Sequence, residues 1–289
     1  MINTHSLALG NSGLGKQTAL QLAKHNPSVI YITSRSEPKG QEAIKEILTV
    51  VPSAKLHLIT LDLASLTSVR QAATQFLALS ARLDLLINNA GIMAVPAGTT
   101  EEGYEVQFGT NHLGHAHLTN LLLPTLVATA QLPGADVRIV TLTSDTHSWT
   151  PKGGIKFDTL RSSQEAESKV AKYGQSKLAN LLHSKELARR YPTLTCVAIH
   201  PGTVETGLSK PMREKHLWVR VFEATIGSVI GVDVEKGVLN SLWAATGKDV
   251  VSGAYYVPVG KQTQASEDAR DGKLATRLWE WSNEELKSH

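Results

Sequence analysis

Gly10-Asn11-Ser12-Gly13-Leu14-Gly15-Lys16 follows a short apolar run, Leu7-Ala8-Leu9, and opens onto a helical pattern from Gln17 to His25. Glycines between a strand candidate and a helix let the backbone come close to a bulky anion. The first helical turn adds unpaired N–H groups and the positive end of the helix dipole, a combination that suits a pyrophosphate. Such a turn is common on its own, so its weight depends on what surrounds it.

Outward from that loop, β-branched runs alternate with helical ones. Ser28 to Thr33 reads as a strand and Lys39 to Leu48 as a helix; Leu56 to Leu61 and Leu66 to Leu79 repeat the pair. Leu83 to Ile87, Val137 to Thr141 and Thr195 to Ile199 are further strands. Near-continuous apolar strands point to burial on both faces of a parallel sheet. The alternation predicts an α/β fold, a doubly wound Rossmann sheet that is mostly parallel with helices on both faces. No repeat, low-complexity tract or Pro/Ser-rich linker interrupts it, so residues 1–289 read as a single domain.

A net charge of +3, spread without basic runs, argues against a nucleic-acid partner. Hydrophobic residues at 42% and charged residues at 19% are ordinary for a soluble enzyme. The lone cysteine, Cys196, lies in the apolar run Thr195 to Ile199, so it reads as a core group and excludes an internal disulfide. The stretch from Met1 to Gly10 lacks the pattern of a secretory signal, and no apolar stretch is long enough to span a membrane. A cytoplasmic location is therefore expected. Leu217 to Val232 is the most apolar later stretch, broken by Arg220 and Glu223; it suits a pocket lid or a surface lying against a membrane.

Arg35 comes just after the second strand, where a dinucleotide fold meets the adenosine ribose. An acidic residue there holds the 2′-hydroxyl of NAD, whereas a cation suits the 2′-phosphate of NADP. NADP(H) is the expected cofactor, with NAD(H) as the alternative. Further on, Tyr173 and Lys177 stand four apart on a helical pattern running to Arg190, which puts them on one face. A nearby ammonium lowers a phenol from about 10 and makes it usable as an acid/base.

Four segments occur in order: Asn88-Asn89-Ala90-Gly91, Asn111-His112-Leu113-Gly114-His115, Tyr173 through Asn180, and His200-Pro201-Gly202. Together they resemble the short-chain dehydrogenase/reductase family, and in particular its retinol-dehydrogenase-like branch. Leu61-Asp62-Leu63-Ala64-Ser65 and Ala269-Arg270-Asp271 extend the likeness over nearly the whole chain. The resemblance implies a catalytic tetrad of Asn111, Ser144, Tyr173 and Lys177. Ser144 is taken over Thr143 because the family's active serine is the second hydroxyl of the pair. Ser144 would hydrogen-bond a substrate carbonyl, Tyr173 would deliver a proton as hydride arrives, Lys177 would bind the nicotinamide ribose, and Asn111 would position a relay water. Cofactor contacts would come from Gly10, Ser12, Gly13, Leu14, Gly15 and Arg35. Asp62 and Leu63 would flank adenine; Asn89 and Gly91 would pass close to the cofactor; Pro201, Gly202 and Thr206 would border the nicotinamide and its phosphates.

The implied activity is interconversion of an apolar carbonyl compound and its alcohol, with a substrate lid around 207–232 that includes Trp218, Val219, Val221 and Phe222. A homodimer through the helices holding Asn111 and Tyr173 is also implied. One departure stands out: the family's loop threonine and first glycine fall on Ala8 and Leu9. Either Gly10 serves as a shifted turn glycine or the natural start lies upstream. This departure motivates the alternative of an NADP(H)-binding sensor or scaffold without turnover. His112, His115 and His117 lack the carboxylate or cysteine that would complete a metal set, so no metal site is expected.

Overall fold

The computed structural model describes residues 5–8, 10–202 and 234–289. Among the described residues, eight strands form one sheet: β1 (His5–Ala8), β2 (Val29–Ser34), β3 (Leu56–Thr60), β4 (Leu85–Asn88), β5 (Arg138–Leu142), β6 (Thr195–Ile199), β7 (Tyr255–Val257) and β8 (Lys261–Gln262). Their order is β3-β2-β1-β4-β5-β6-β7-β8. All neighbours through β7 pair parallel, and β8 closes the edge antiparallel. The described helices are α1 (Gly13–Ala23), α2 (Glu37–Val50), α3 (Leu66–Leu79), the single turn α4 (Val106–Phe108), α5 (Gly114–Ala130), α6 (Lys169–Arg190), α7 (Val234–Thr246), α8 (Glu267–Arg270) and α9 (Gly272–Leu286). The expected doubly wound α/β fold is what the chain adopts. Strand order reverses between β1 and β4, and in such sheets ligands bind at that crevice, beyond the carboxyl ends of the strands.

Period-two alternation divides the strands between two apolar layers. Tyr31, Ile139 and Cys196 face one layer with Phe76 of α3 and Leu122 of α5. Ile32, Val140 and Val197 face the other, with Ala19 of α1, Ile47 of α2 and Ala244 of α7. A third cluster joins Tyr104 and Phe108 to Leu178 and Leu182 of α6 and Leu278 of α9.

Some boundaries differ from the periodicity reading. β1 starts at His5, ahead of the apolar run, because its polar groups are partnered: His5 N–H donates to Asp84 Oδ2 (2.9 Å) and its Nδ1 meets Ser80 Oγ (2.9 Å). α1 begins at Gly13, so Gly13 and Gly15 already lie within the helix. α6 begins at Lys169, where Ser168 caps it by accepting from Ala171 N–H (3.1 Å); Tyr173 therefore sits in the second turn and not at the start.

Between α4 and α5, Gly109–Leu113 forms a π-turn, with Gly114 N–H reaching back to Gly109 O. The turn carries Asn111. α9 then lies over α5 and α6: Ser282 Oγ meets His112 Nε2 (3.1 Å), Asn120 donates to Asn283 (2.8 Å), and Trp279 stacks on His183 (5.2 Å). Asp271 caps α9 through Lys273 and Leu274 N–H, a local role for the Ala269-Arg270-Asp271 segment.

A Cβ added at Gly114 would stand 2.4 Å from the Leu63 carbonyl oxygen. Gly114→Ala improves helix propensity by about 1 kcal/mol, but the clash is with backbone and costs more, typically about 1–3 kcal/mol. The expected outcome is a lower urea midpoint; a raised midpoint contradicts this packing.

Candidate active site

Thr143 and Ser144 follow directly after β5, and the two hydroxyls take different directions. Thr143 Oγ1 donates to the Lys177 carbonyl (2.7 Å), tying the strand end to α6. Ser144 starts the 3-10 turn Asp145–Ser148, accepting from Thr146 N–H (3.3 Å) and donating to Asp145 Oδ1 (2.9 Å). Gly174 makes the approach possible, since a Cβ there would lie 2.5 Å from the Thr146 carbonyl and 2.7 Å from that of Trp149. Tyr173 is thereby brought beside Ser144, close enough for the two side chains to interact. Lys177, one turn on, holds its Nζ 5.6 Å from the Tyr173 ring centre and donates to the Leu142 carbonyl (3.1 Å). Asn111, Ser144, Tyr173 and Lys177 are 0%, 9%, 5% and 4% exposed, so the four gather in a nearly dry site.

Asn111 spends its side chain on structure. Oδ1 accepts from Ile92 N–H (2.8 Å), while Nδ2 donates to Ile92 O (2.9 Å) and Ser176 Oγ (3.0 Å). This clamps the segment after β4 against α6. Gly91 completes the junction: a Cβ there would lie 3.0 Å from Asn111 Oδ1 and 3.6 Å from Lys177 Nζ. The backbone carbonyl of Asn111 meets His115 Nδ1 (2.8 Å).

Burial decides the electrostatics. It pushes Lys177 down to about 8. It raises the Tyr173 phenol, the Asp145 carboxylate adds to the rise, and the Ser144 hydrogen bond opposes it. The expectation that Lys177 lowers the phenol is corrected accordingly: burial, with the Asp145 carboxylate adding, holds the phenol above its ordinary value. Tyr173 stays protonated, which is the state a proton donor requires.

At the other end of the crevice, Gly10 has φ +124°, and a Cβ there would crowd Asn89 Nδ2 at 3.1 Å and approach Gly15 Cα at 3.8 Å. Gly10 N–H donates to Thr33 Oγ1 (3.3 Å), joining the loop to the end of β2. Ser12 precedes α1 without a side-chain cap, Gly13 has φ +51°, and Leu14 is partly buried. The turn has the room and the N–H groups that a pyrophosphate requires. Arg35 is exposed directly after β2 and makes no ion pair among the described residues. Leu61 N–H bonds Ser34 O (3.0 Å), so the β3 end lies alongside; Asp62 folds its carboxylate onto Ala64 N–H (2.9 Å). Leu63 sends its side chain into the core. Pro201 and Gly202 follow β6, with Gly202 at φ +92° against Pro258. Leu9, Thr206 and the expected lid around 207–232 lie outside the described residues.

The histidine trio is internal. Burial lowers His115 to about 3 and His117 to about 4, and His112 lies well below its ordinary value. Among the described residues no group of three or more His, Cys, Asp or Glu is placed to hold a metal ion. None of the described helices is long and apolar enough to cross a membrane. An open groove lined by Arg190, Tyr191, Trp279 and Asn283 lies at the far end of α6. It is roughly 25 Å along the helix from Tyr173 at 1.5 Å per residue, and so plays no part in this site. Sequence reasoning missed Gly174, Ser176, Ile92, Asp145 and His147. Only Gly174 carried a readable signal, as a glycine inside the helix beside the key tyrosine.

Lys177→Met tests the burial argument. A lysine held near 8 when folded, against an ordinary 10.5, favours its neutral form, so it withholds stability below 8 and returns it as pH rises toward 10.5. Asn180 Nδ2 continues to satisfy the Leu142 carbonyl (3.1 Å). The variant is expected to melt a few degrees higher at pH 7, with the gain shrinking toward pH 10.5. A melting point below wild type at pH 7 contradicts it.

Residues 7–155 match the family model described as short chain dehydrogenase. A short-chain dehydrogenase/reductase, drtF, of Aspergillus calidoustus is 39% identical, over 96% of this chain and 91% of its own. Human retinol dehydrogenase 13 is 39% identical, over 93% of this chain and 80% of its own. A crystal structure of an uncharacterized protein from Mycobacterium paratuberculosis superposes with TM-score 0.76 at 32% identity, over 99% of this chain and 94% of that one. A sheet reversing at a glycine turn, with a buried serine, tyrosine and lysine beyond its strand ends, thus coincides with relatives matched over nearly the full length: the chain belongs to the short-chain dehydrogenase/reductase family of oxidoreductases.

Proposed function

We propose that the chain is an NADP(H)-dependent oxidoreductase that interconverts an apolar carbonyl compound and its alcohol, with Tyr173 as general acid/base. The observation that carries this reading is the buried Tyr173 beside Ser144 and one helical turn from Lys177, with burial holding its phenol above the ordinary value. When bound, the dinucleotide supplies the hydride. Ser144 and Tyr173 donate hydrogen bonds to the substrate oxygen where alkoxide charge develops, and Tyr173 gives up its proton there. Lys177 holds the nicotinamide ribose. Asn111 contributes to the proton relay through its backbone carbonyl, because its side chain is committed to Ile92 and Ser176.

Gly10, Ser12, Gly13, Leu14 and Gly15 hold the pyrophosphate in this reading, Arg35 the 2′-phosphate, and Asp62 and Leu63 the adenine side. Asn89, Gly91, Pro201, Gly202 and Thr206 line the remainder, and 207–232 forms the lid of the single domain. The glycine contacts at Gly10 and Gly91 support a cofactor fit. The sensor reading rests on Leu9, outside the described residues, and on the short first strand, which spans the four residues His5–Ala8. A homodimer through α5 and α6 would have to bury α9, which already covers His112 and His183. A cytoplasmic location fits the inert, buried Cys196, whose thiol burial pushes up to about 12.

The test is NADPH consumption with a panel of apolar aldehydes and ketones that includes retinal. Tyr173→Phe is expected to lose about 10²–10⁴-fold in turnover; equal consumption by both proteins contradicts the mechanism. NADPH should raise the melting temperature more than NADH does, and Arg35→Asp should remove that preference. A preference unchanged by Arg35→Asp takes Arg35 out of the site.

A further inference from the structure

His147 stands three residues beyond Ser144, outside the tetrad, and both of its ring nitrogens are engaged. Its Nδ1 lies 2.6 Å from the Ser144 carbonyl oxygen, and its Nε2 lies 3.1 Å from the Ser266 amide nitrogen. A carbonyl only accepts and an amide N–H only donates, so the tautomer is fixed: Nδ1–H donates to Ser144 O, and Nε2 accepts from Ser266 N–H. The imidazole thus joins the catalytic strand end to a segment 119 residues away. That segment opens α8, whose Ala269 carbonyl accepts from Lys185 Nζ (2.8 Å) on α6. Ser144 and Tyr173 are in this way tied to one frame, and His147 is the tie on the Ser144 side.

We propose that His147 is a positioning residue, holding the Ser144 peptide in register with Tyr173 by pinning it to the chain at Ser266; this rests on the role proposed above for Ser144. The ring is buried and packs edge-on against Tyr255 of β7 (5.2 Å). The charged or titratable groups facing it are Asp145 on its own turn, Lys185 on α6, His200 after β6 and Tyr255. Burial lowers the imidazole from its ordinary value, with Lys185 adding and the Ser144 hydrogen bond and Asp145 opposing. Protonation would turn Nε2–H against Ser266 N–H and break the tie, so the neutral ring that folding favours is also the one that positions.

The experiment compares wild type, His147→Phe and His147→Asn with NADPH and the fastest carbonyl of the panel, alongside imidazole NMR on the histidine-labelled wild type. Phenylalanine keeps the ring volume and removes both bonds; asparagine keeps a donor near the Nδ1 position. The kcat is expected to fall about 10–100-fold in His147→Phe, the range that small misplacements cost. It should fall as far in His147→Asn, which keeps the Ser144 bond but loses the one to Ser266, with the KM for NADPH unchanged in both. NMR, with the His147 signal assigned by its loss in His147→Asn, should show that imidazole neutral and protonated on Nδ1 below pH 6.5. Wild-type kcat in His147→Phe or in His147→Asn, or a His147 ring protonated on Nε2, overturns the proposal. If His147→Phe does not fold, the NMR and the asparagine variant decide. Failure of the parent reading looks different: Ser144→Ala would then turn over like wild type, and the NMR arm would still decide the His147 bonds.

Discussion

Everything at the site depends on how closely α6 approaches the turn that follows β5. A helix carrying an ordinary side chain at 174 would be held off by the Thr146 and Trp149 carbonyls. With glycine there, the helix packs backbone against backbone, and the Thr143 hydroxyl secures the contact by donating to the Lys177 carbonyl. The consequence is chemical as much as mechanical. Tyr173 comes within reach of Ser144, and Lys177 is driven into a space dry enough to weaken its hold on a proton.

The same economy recurs on the opposite wall. Asn111 sits on a π-turn, and its amide saturates itself on Ile92 and Ser176, so the segment after β4 cannot drift from α6. Gly91 leaves the space in front of Lys177 open, and Gly10 does so beside Asn89. Absent side chains therefore shape the crevice where the strand order reverses. The side-chain polar atoms of His147 and Asn111 beside it are all engaged, which stiffens these two walls before any ligand arrives.

Much of this was legible in the sequence, for identifiable reasons. Strands such as Val29–Ser34 and Arg138–Leu142 are buried on both faces, so apolar runs announce them. β1 was only half visible because His5 and Ser6 are polar residues that happen to be partnered or buried. The start of α6 was hidden by Lys169 and Lys172, the latter buried only because its ammonium reaches the Ser163 carbonyl (2.9 Å). The spacing of Tyr173 and Lys177 gave their shared face. It could not give the desolvation, which raises the Tyr173 phenol, opposite to expectation. His147 was invisible for a related reason: a histidine earns a role from its two partners, and Ser266 is too distant in sequence to suggest itself.

The central claim is that α6 must rest against the Ser144 turn for proton donation to occur, and Gly174→Ala measures it directly. Single-turnover NADPH oxidation by the folded variant isolates the chemical step from binding and release. A rate lower by about 10²-fold is the predicted result. A wild-type rate in a folded Gly174→Ala protein would contradict the account.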